Sequence, residues 1–323
     1  MKDKVSAILI GLSLSYSASA MVQFDGTKII YGNDDRYEVD QYPNKEFRNL
    51  AKSVAGMVKS SKLKDDIGDV NFYNFTKQTA EDKFELCEEE PFKDQYSLPI
   101  CSGFLVAPDV LVTAGHCIEE QFDCDKFKWV FDFKKGTQKI KKEDVYSCKQ
   151  IYERDLYASK WKLKDYAVIQ LDRPVKGRTP LKFRRKGKAK IGDSLVVIGH
   201  PSGIPMKITD NGKVQRMNKE EIFKPISTLF KKRYYFNVNL DTYSGNSGSP
   251  VFNRKTKTVE GILVQGGEDY VRNIDFFCNE SNRLADSRWV TEEKVFRITK
   301  VPYIKKFQDK YLKSQQKSEK KAE

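Results

Sequence analysis

Apolar residues in this chain come in short bursts separated by turn residues, and few bursts are long enough to make a helix. In the first half, Cys101-Ser102-Gly103-Phe104-Leu105-Val106 and Val110-Leu111-Val112 read as two strands joined by a turn at Pro108-Asp109, followed by strand-like Trp129-Val130-Phe131. The second half repeats the habit with Leu195-Val196-Val197-Ile198, Tyr234-Tyr235-Phe236-Asn237-Val238, Pro250-Val251-Phe252-Asn253 and Val259-Glu260-Gly261-Ile262-Leu263-Val264. Two stretches depart from it. Phe47, Leu50, Ala51, Val54, Met57 and Val58 recur at helical spacing and predict an amphipathic helix over 47–58, and Ile304, Phe307, Tyr311 and Leu312 predict a C-terminal helix. Residues 60–99 are polar and carry no clear period, and the charged, Gln-rich residues 314–323 predict a disordered tail.

The N-terminus changes the compartment. Lys2 and Lys4 precede an apolar run over 5–14 and the small residues Ala18-Ser19-Ala20, which reads as a signal peptide over 1–20. That run is too short to span a bilayer comfortably, and no later stretch approaches a transmembrane helix. A soluble, exported protein is expected, secreted or periplasmic. In that setting the six cysteines suggest disulfides.

The formal charge is +13, and loss of residues 1–20, with two lysines and one aspartate, leaves +12. Such a balance favours anionic surfaces and acidic substrates. The lysine-rich runs at 134–135, 139–142, 184–190 and 231–233 lack the aromatic interleaving that stacks bases, so they read as solvated surface and no specific nucleic-acid partner is expected. Two histidines in the whole chain exclude a multi-histidine metal site, and no Cys-x-x-Cys spacing suggests zinc; no metal or cofactor is called for.

Three segments carry chemistry: Thr113-Ala114-Gly115-His116-Cys117, Asp165-Tyr166-Ala167-Val168, and Gly245-Asn246-Ser247-Gly248-Ser249-Pro250. Singly, a histidine is usually structural, an aspartate a solvated turn residue and a serine between glycines a loop. Here His116 ends a predicted apolar hairpin that can hold it rigidly, and Asp165 opens an apolar strand, a context that Asp155 and Asp172 lack. A serine hydroxyl is a poor nucleophile at neutral pH, so an imidazole must take its proton and a buried carboxylate must orient that imidazole. The glycines around Ser247 permit a turn that aims the amides of Gly245 and Ser247 at one point, as an oxyanion hole requires. His200, in Gly199-His200-Pro201, has no such hairpin around it and reads as structural.

The order His, Asp, Ser, together with the flanking residues, resembles the trypsin-like peptidases of the chymotrypsin fold. The resemblance implies an all-β protein: two packed six-stranded antiparallel barrels, with the N-terminal and C-terminal helices added. It implies a barrel over 29–175 bearing His116 and Asp165, a second over 176–313 bearing Ser247 and the terminal helix, and a basic link over 175–190 between them. It also implies a disulfide between Cys101 and Cys117; spacing leaves the three pairings of Cys87, Cys124, Cys148 and Cys278 open. Ile29 to Arg36 resembles the mature start of the bacterial glutamyl endopeptidases, with 21–28 as a short propeptide ending at Lys28.

The expected activity is that of a serine endopeptidase acting on proteins or peptides as a monomer. A secreted pseudoprotease that only binds a partner, or an esterase on the same fold, are the alternatives. Two departures from the family bear on detail. Asn246 stands where animal trypsins have the aspartate that pairs with a freed amino terminus. Asp241, six residues before Ser247, stands where trypsin-like enzymes keep the acidic pocket floor, and it assigns a substrate-binding role and a slight preference for Arg or Lys. Leu263-Val264-Gln265 replaces the histidine segment of the glutamyl enzymes, so preference for Glu is unsupported.

Overall fold

The structure is a computed structural model that describes residues 30–159, 162–217, 234–284 and 293–322. The expected signal peptide, the expected propeptide over 21–28, the expected mature start at Ile29 and the basic run at 231–233 lie outside the described residues.

The chain folds as two closed antiparallel barrels. In the first, Val145–Ser159, Lys162–Leu171, Val110–Thr113, Cys101–Ala107, Val54–Lys59 and Phe127–Phe131 follow one another around the ring, and the last pairs back onto the first. In the second the order is Ser194–Gly199, Pro250–Asn253, Val259–Gln265, Glu293–Arg297, Tyr235–Val238 and Lys207–Arg216. Pairing of Ser194–Gly199 with Lys207–Arg216 closes it, and Arg36–Glu38 adds a strand outside Lys207–Arg216. Closure removes the exposed edges that short strands would otherwise present.

The strands' composition explains why they sit this way. Cys101–Ala107 and Val110–Thr113 are buried along their whole length, so they read as continuous apolar runs rather than as alternations. Leu195, Val197, Phe236, Val238, Leu263 and Val295 fill the second barrel. A larger core, with Phe104, Val112, Trp129 and Ile169 of the first barrel, continues through Ile198, Phe252 and Ile262 of the second. The two barrels therefore share a buried seam, and the chemical motifs lie along it.

The predicted N-terminal helix is shorter than its apolar spacing suggests. It spans Lys45–Ala51, capped by Asn44, whose Oδ1 accepts the Glu46 N–H at 2.9 Å, and its Phe47 packs edge-on against Phe252. Val54, Met57 and Val58 belong instead to the first barrel strand, Val54–Lys59. Both faces of that strand are buried, so it has no polar alternation, and its apolar positions happen to match a helical period.

The polar stretch after it forms a small sheet of Leu63–Asp65, Phe72–Phe75 and Ile140–Lys141, and a short helix, Ala80–Phe84, closed by a capping box between Thr79 and Asp82. At the other end, helix Ile304–Ala322 runs through the segment expected to be disordered. Its Lys, Gln, Glu and Ala residues are good helix formers with no Gly or Pro to stop them. Ile304 is fully buried and Gln308 Nε2 donates to Leu181 O at 2.9 Å, which docks the helix beside the link between the barrels.

All six cysteines are paired: Cys87 with Cys278, Cys101 with Cys117, and Cys124 with Cys148. The first ties the stretch after the first barrel strand to the hairpin Tyr270–Asn273 and Cys278–Ser281.

Candidate active site

His116 follows the end of strand Val110–Thr113, and Asp165 lies on the neighbouring strand Lys162–Leu171, where Ala167 pairs with Thr113. The pairing brings the two side chains together. Asp165 Oδ2 lies 2.7 Å from His116 Nδ1, and Asp165 Oδ1 accepts the main-chain N–H of His116 at 3.0 Å. A carboxylate can only accept, so Nδ1 directs a proton at Asp165 and Nε2 is turned away from it. The His116 side chain is 22% exposed while that of Asp165 is fully buried, which leaves the imidazole reachable and its orienting charge sequestered. The Cys101–Cys117 disulfide closes the base of the hairpin beside the histidine, and Arg154 Nε donates to Gly115 O at 3.0 Å on its other side.

Ser247 belongs to the second barrel, on the loop between Tyr235–Val238 and Pro250–Asn253. The loop is stitched to the His116 hairpin. The main-chain N–H of Ser102 donates to Ser247 O at 2.7 Å, the Ser102 hydroxyl donates to Gly245 O at 2.8 Å, and that same hydroxyl accepts the His200 N–H at 3.1 Å. Gly245 and Gly248 both have positive φ, +94° and +89°. A Cβ at Gly245 would meet His200 O at 2.3 Å, and one at Gly248 would meet Ser102 O at 2.0 Å, so close approach as well as backbone conformation demands glycine. Among the described residues, no main-chain acceptor takes the Gly245 N–H. Asn246 is buried, and its N–H closes a turn to Tyr243 O at 3.0 Å.

Asp241 is buried, and its carboxylate is turned toward the N-terminal segment: Oδ1 accepts the Tyr31 N–H at 2.7 Å and Oδ2 the Asp35 N–H at 2.8 Å. Burial pushes its carboxyl up to about 7 against the pull of those two N–H groups, with the nearby Asp34 and Asp35 adding to the rise. From the same segment the Tyr31 hydroxyl donates to buried Glu293. Arg36, paired with Asp34 at 2.6 Å, lies over the ring of Tyr243 at 4.4 Å.

The other sequence candidates have partners apart from the His116–Asp165 pair. Asp155 pairs with Lys164, and Asp172 is a surface partner of Arg173 and of the Ser147 N–H. His200 is fully buried with Nδ1 3.1 Å from Ile204 O, and burial pulls its imidazole down to about 4, so it stays neutral as a core group. Sequence reading missed Ser102, a polar residue inside an otherwise apolar strand, and Asp269, whose Oδ2 accepts the Ser244 N–H at 2.9 Å just before Gly245. A buried hydroxyl interrupting an apolar run was the available signal for Ser102.

Residues 101–262 match the family of the trypsin-like peptidase domain. No curated protein matches the chain. Solved structures that resemble it include a Glu endopeptidase in complex with MPD, at 15% identity and a TM-score of 0.49, covering 87% of this chain and 98% of that one. An M. tuberculosis protease in its active form has 15% identity and a TM-score of 0.43, covering 90% of each chain. The Vibrio cholerae VesB protease has 12% identity and a TM-score of 0.46, covering 84% of this chain and 65% of that one.

Proposed function

Because the chain belongs to the trypsin-like peptidase family, we propose that it is an exported serine endopeptidase whose nucleophile is Ser247, with His116 as base and Asp165 as its orienting acid. The observation that carries this reading is the Asp165 carboxylate held on both Nδ1 and the main-chain N–H of His116, on a hairpin bonded through Ser102 to the Ser247 loop.

In the proposed reaction Ser247 Oγ attacks the peptide carbonyl carbon as His116 Nε2 takes the hydroxyl proton. The carbonyl oxygen, now negative, lies against the N–H groups of Gly245 and Ser247. The C–N bond breaks as His116 passes the proton to the leaving amine, which leaves an ester on Ser247. Water, activated by the same imidazole, attacks that ester and returns the free serine. Asp165 stays ionised throughout and stabilises the imidazolium each time it forms.

Export is supported by three disulfides, which persist in oxidising compartments. Among the described residues no helix is long and apolar enough to cross a membrane.

The test is labelling with a fluorophosphonate probe followed by peptide-library digestion. Wild type should label at Ser247 and cleave peptides, and Ser247→Ala should do neither. A folded wild type that does not label would sink the enzyme reading and favour a binding protein.

A further inference from the structure

The N-terminal segment and the Ser247 loop meet at one buried carboxylate. Asp241 lies in the run that leads to Tyr243, Ser244 and Gly245, and both of its oxygens are taken by main-chain N–H groups of Tyr31 and Asp35. The segment is fixed independently on either side of that contact. Ile30 N–H donates to Asn282 O at 3.0 Å, and Ile30–Tyr31 pairs in parallel with Arg283–Leu284. Arg36 is held between the rings of Tyr243 and Phe92, at 4.4 and 5.0 Å, and Arg36–Glu38 is a strand of the second barrel's sheet.

Tyr243 is in turn locked. It is fully buried, and its hydroxyl donates to Ser281 Oγ at 2.6 Å. Ser244 N–H donates to Asp269, so every residue from Asp241 to Ser244 except Thr242 has a named polar or ring partner outside the loop. The loop that must aim the Gly245 N–H is thus braced from beneath by a segment more than 200 residues away in sequence.

We propose that Asp241 is a positioning residue, which clamps the segment Tyr31 to Arg36 under the loop of Gly245 and Ser247 and so holds the oxyanion donors in place, rather than a floor that selects basic substrates. The inference rests on Ser247 being the nucleophile. The clamp is made by amides inside the chain, so it needs no newly freed amino terminus. Asn246 fits such a brace, which asks for no charge beside Ser247.

The clamp acts on loop geometry and not on the substrate side chain, and this separates it from a pocket role. A misplaced donor costs transition-state stabilisation and leaves ground-state binding largely alone. Asp241→Asn keeps the volume but offers one acceptor oxygen in place of two.

The experiment is steady-state kinetics of wild type, Asp241→Asn and Tyr31→Phe on matched peptide substrates cleaved after Arg, Phe and Glu, with folding checked by near-UV circular dichroism. For Asp241→Asn, kcat should fall about 10- to 100-fold, by the same factor on every substrate that wild type cleaves, with KM within about twofold. Tyr31→Phe, which removes the bond to Glu293 and leaves Asp241 untouched, should show a smaller fall of the same kind. If Asp241→Asn does not fold, Tyr31→Phe decides by the same criterion. Loss confined to Arg substrates, or kcat unchanged in the folded variants, overturns the clamp. A wild type inactive on all substrates and silent to the fluorophosphonate probe would instead mean that the peptidase reading has failed.

Discussion

The hydroxyl of Ser102, in the first barrel, donates to the carbonyl oxygen of Gly245, in the second, at 2.8 Å across the buried seam. Ser102 is fully buried, and its hydroxyl also accepts the His200 N–H. Ser102→Ala would strand both groups without partners. Leaving such groups unsatisfied costs about 1–3 kcal/mol, so the variant should unfold at lower denaturant concentration. It should also lose kcat, because the 245–246 peptide loses its tether. Urea titration and kinetics on the same preparation check both halves; wild-type values in each would remove Ser102 from the account.

Asp165→Asn should leave the barrels intact and lower kcat by a factor on the order of 10⁴, since an amide at this position lets the imidazole adopt the wrong tautomer. His116→Ala and Ser247→Ala should lose more, on the order of 10⁶, and the double variant little more than either, because the members act as a unit. Additive losses in the double variant would argue that the residues work separately.

Stability should respond to pH through two buried groups of opposite sign. His200 is depressed to about 4 in the folded protein from an unfolded 6.5, so its contribution is present above pH 6.5 and is lost as pH falls toward 4. Asp241 is raised to about 7 from 3.8, so its contribution is greatest in acid and is lost as pH rises from about 4 to 7. The two nearly cancel in wild type. His200→Gln should therefore become more stable on acidification from pH 7 to 4, and Asp241→Asn less stable over the same interval, each by roughly 3 kcal/mol. Thermal melts at several pH values read this directly, and parallel curves for the two variants would refute it.

Replacing both Cys87 and Cys278 by Ser should lower stability by about 2–5 kcal/mol, because that bond closes the longest loop, with a sequence separation of 191. Proteolytic nicking should begin in the Tyr270–Ser281 hairpin, whose Phe276 and Phe277 are already exposed. A variant that melts as wild type does would show that the hydrogen bonds of Ser281 to Glu90 suffice.

The pairing of His116 with Asp165 was legible because each sits in a short motif whose neighbours set its geometry. Asp241 was legible in position but not in its contacts. Its partners are main-chain N–H groups 210 and 206 residues earlier, and a main-chain donor leaves no residue type to read. Val54–Lys59 was hidden for another reason: a strand buried on both faces loses the alternation that distinguishes it from a helix face. The pairing of Cys87 with Cys278 was also closed to sequence, since spacing says nothing about which ends of a chain the tertiary fold brings together.

That long-range bond imposes a timetable on biosynthesis. Cys101 and Cys117 are 16 residues apart and Cys124 and Cys148 are 24, so each pair can join soon after it emerges. In an exported chain Cys87 reaches the oxidising compartment before any of them and must wait for Cys278. Throughout that interval four other thiols pass by it as competing partners. A cell lacking a disulfide isomerase should accumulate chains in which Cys87 is joined to the wrong neighbour, and the yield of native protein should depend on that catalyst more than on the oxidant that makes the first bonds.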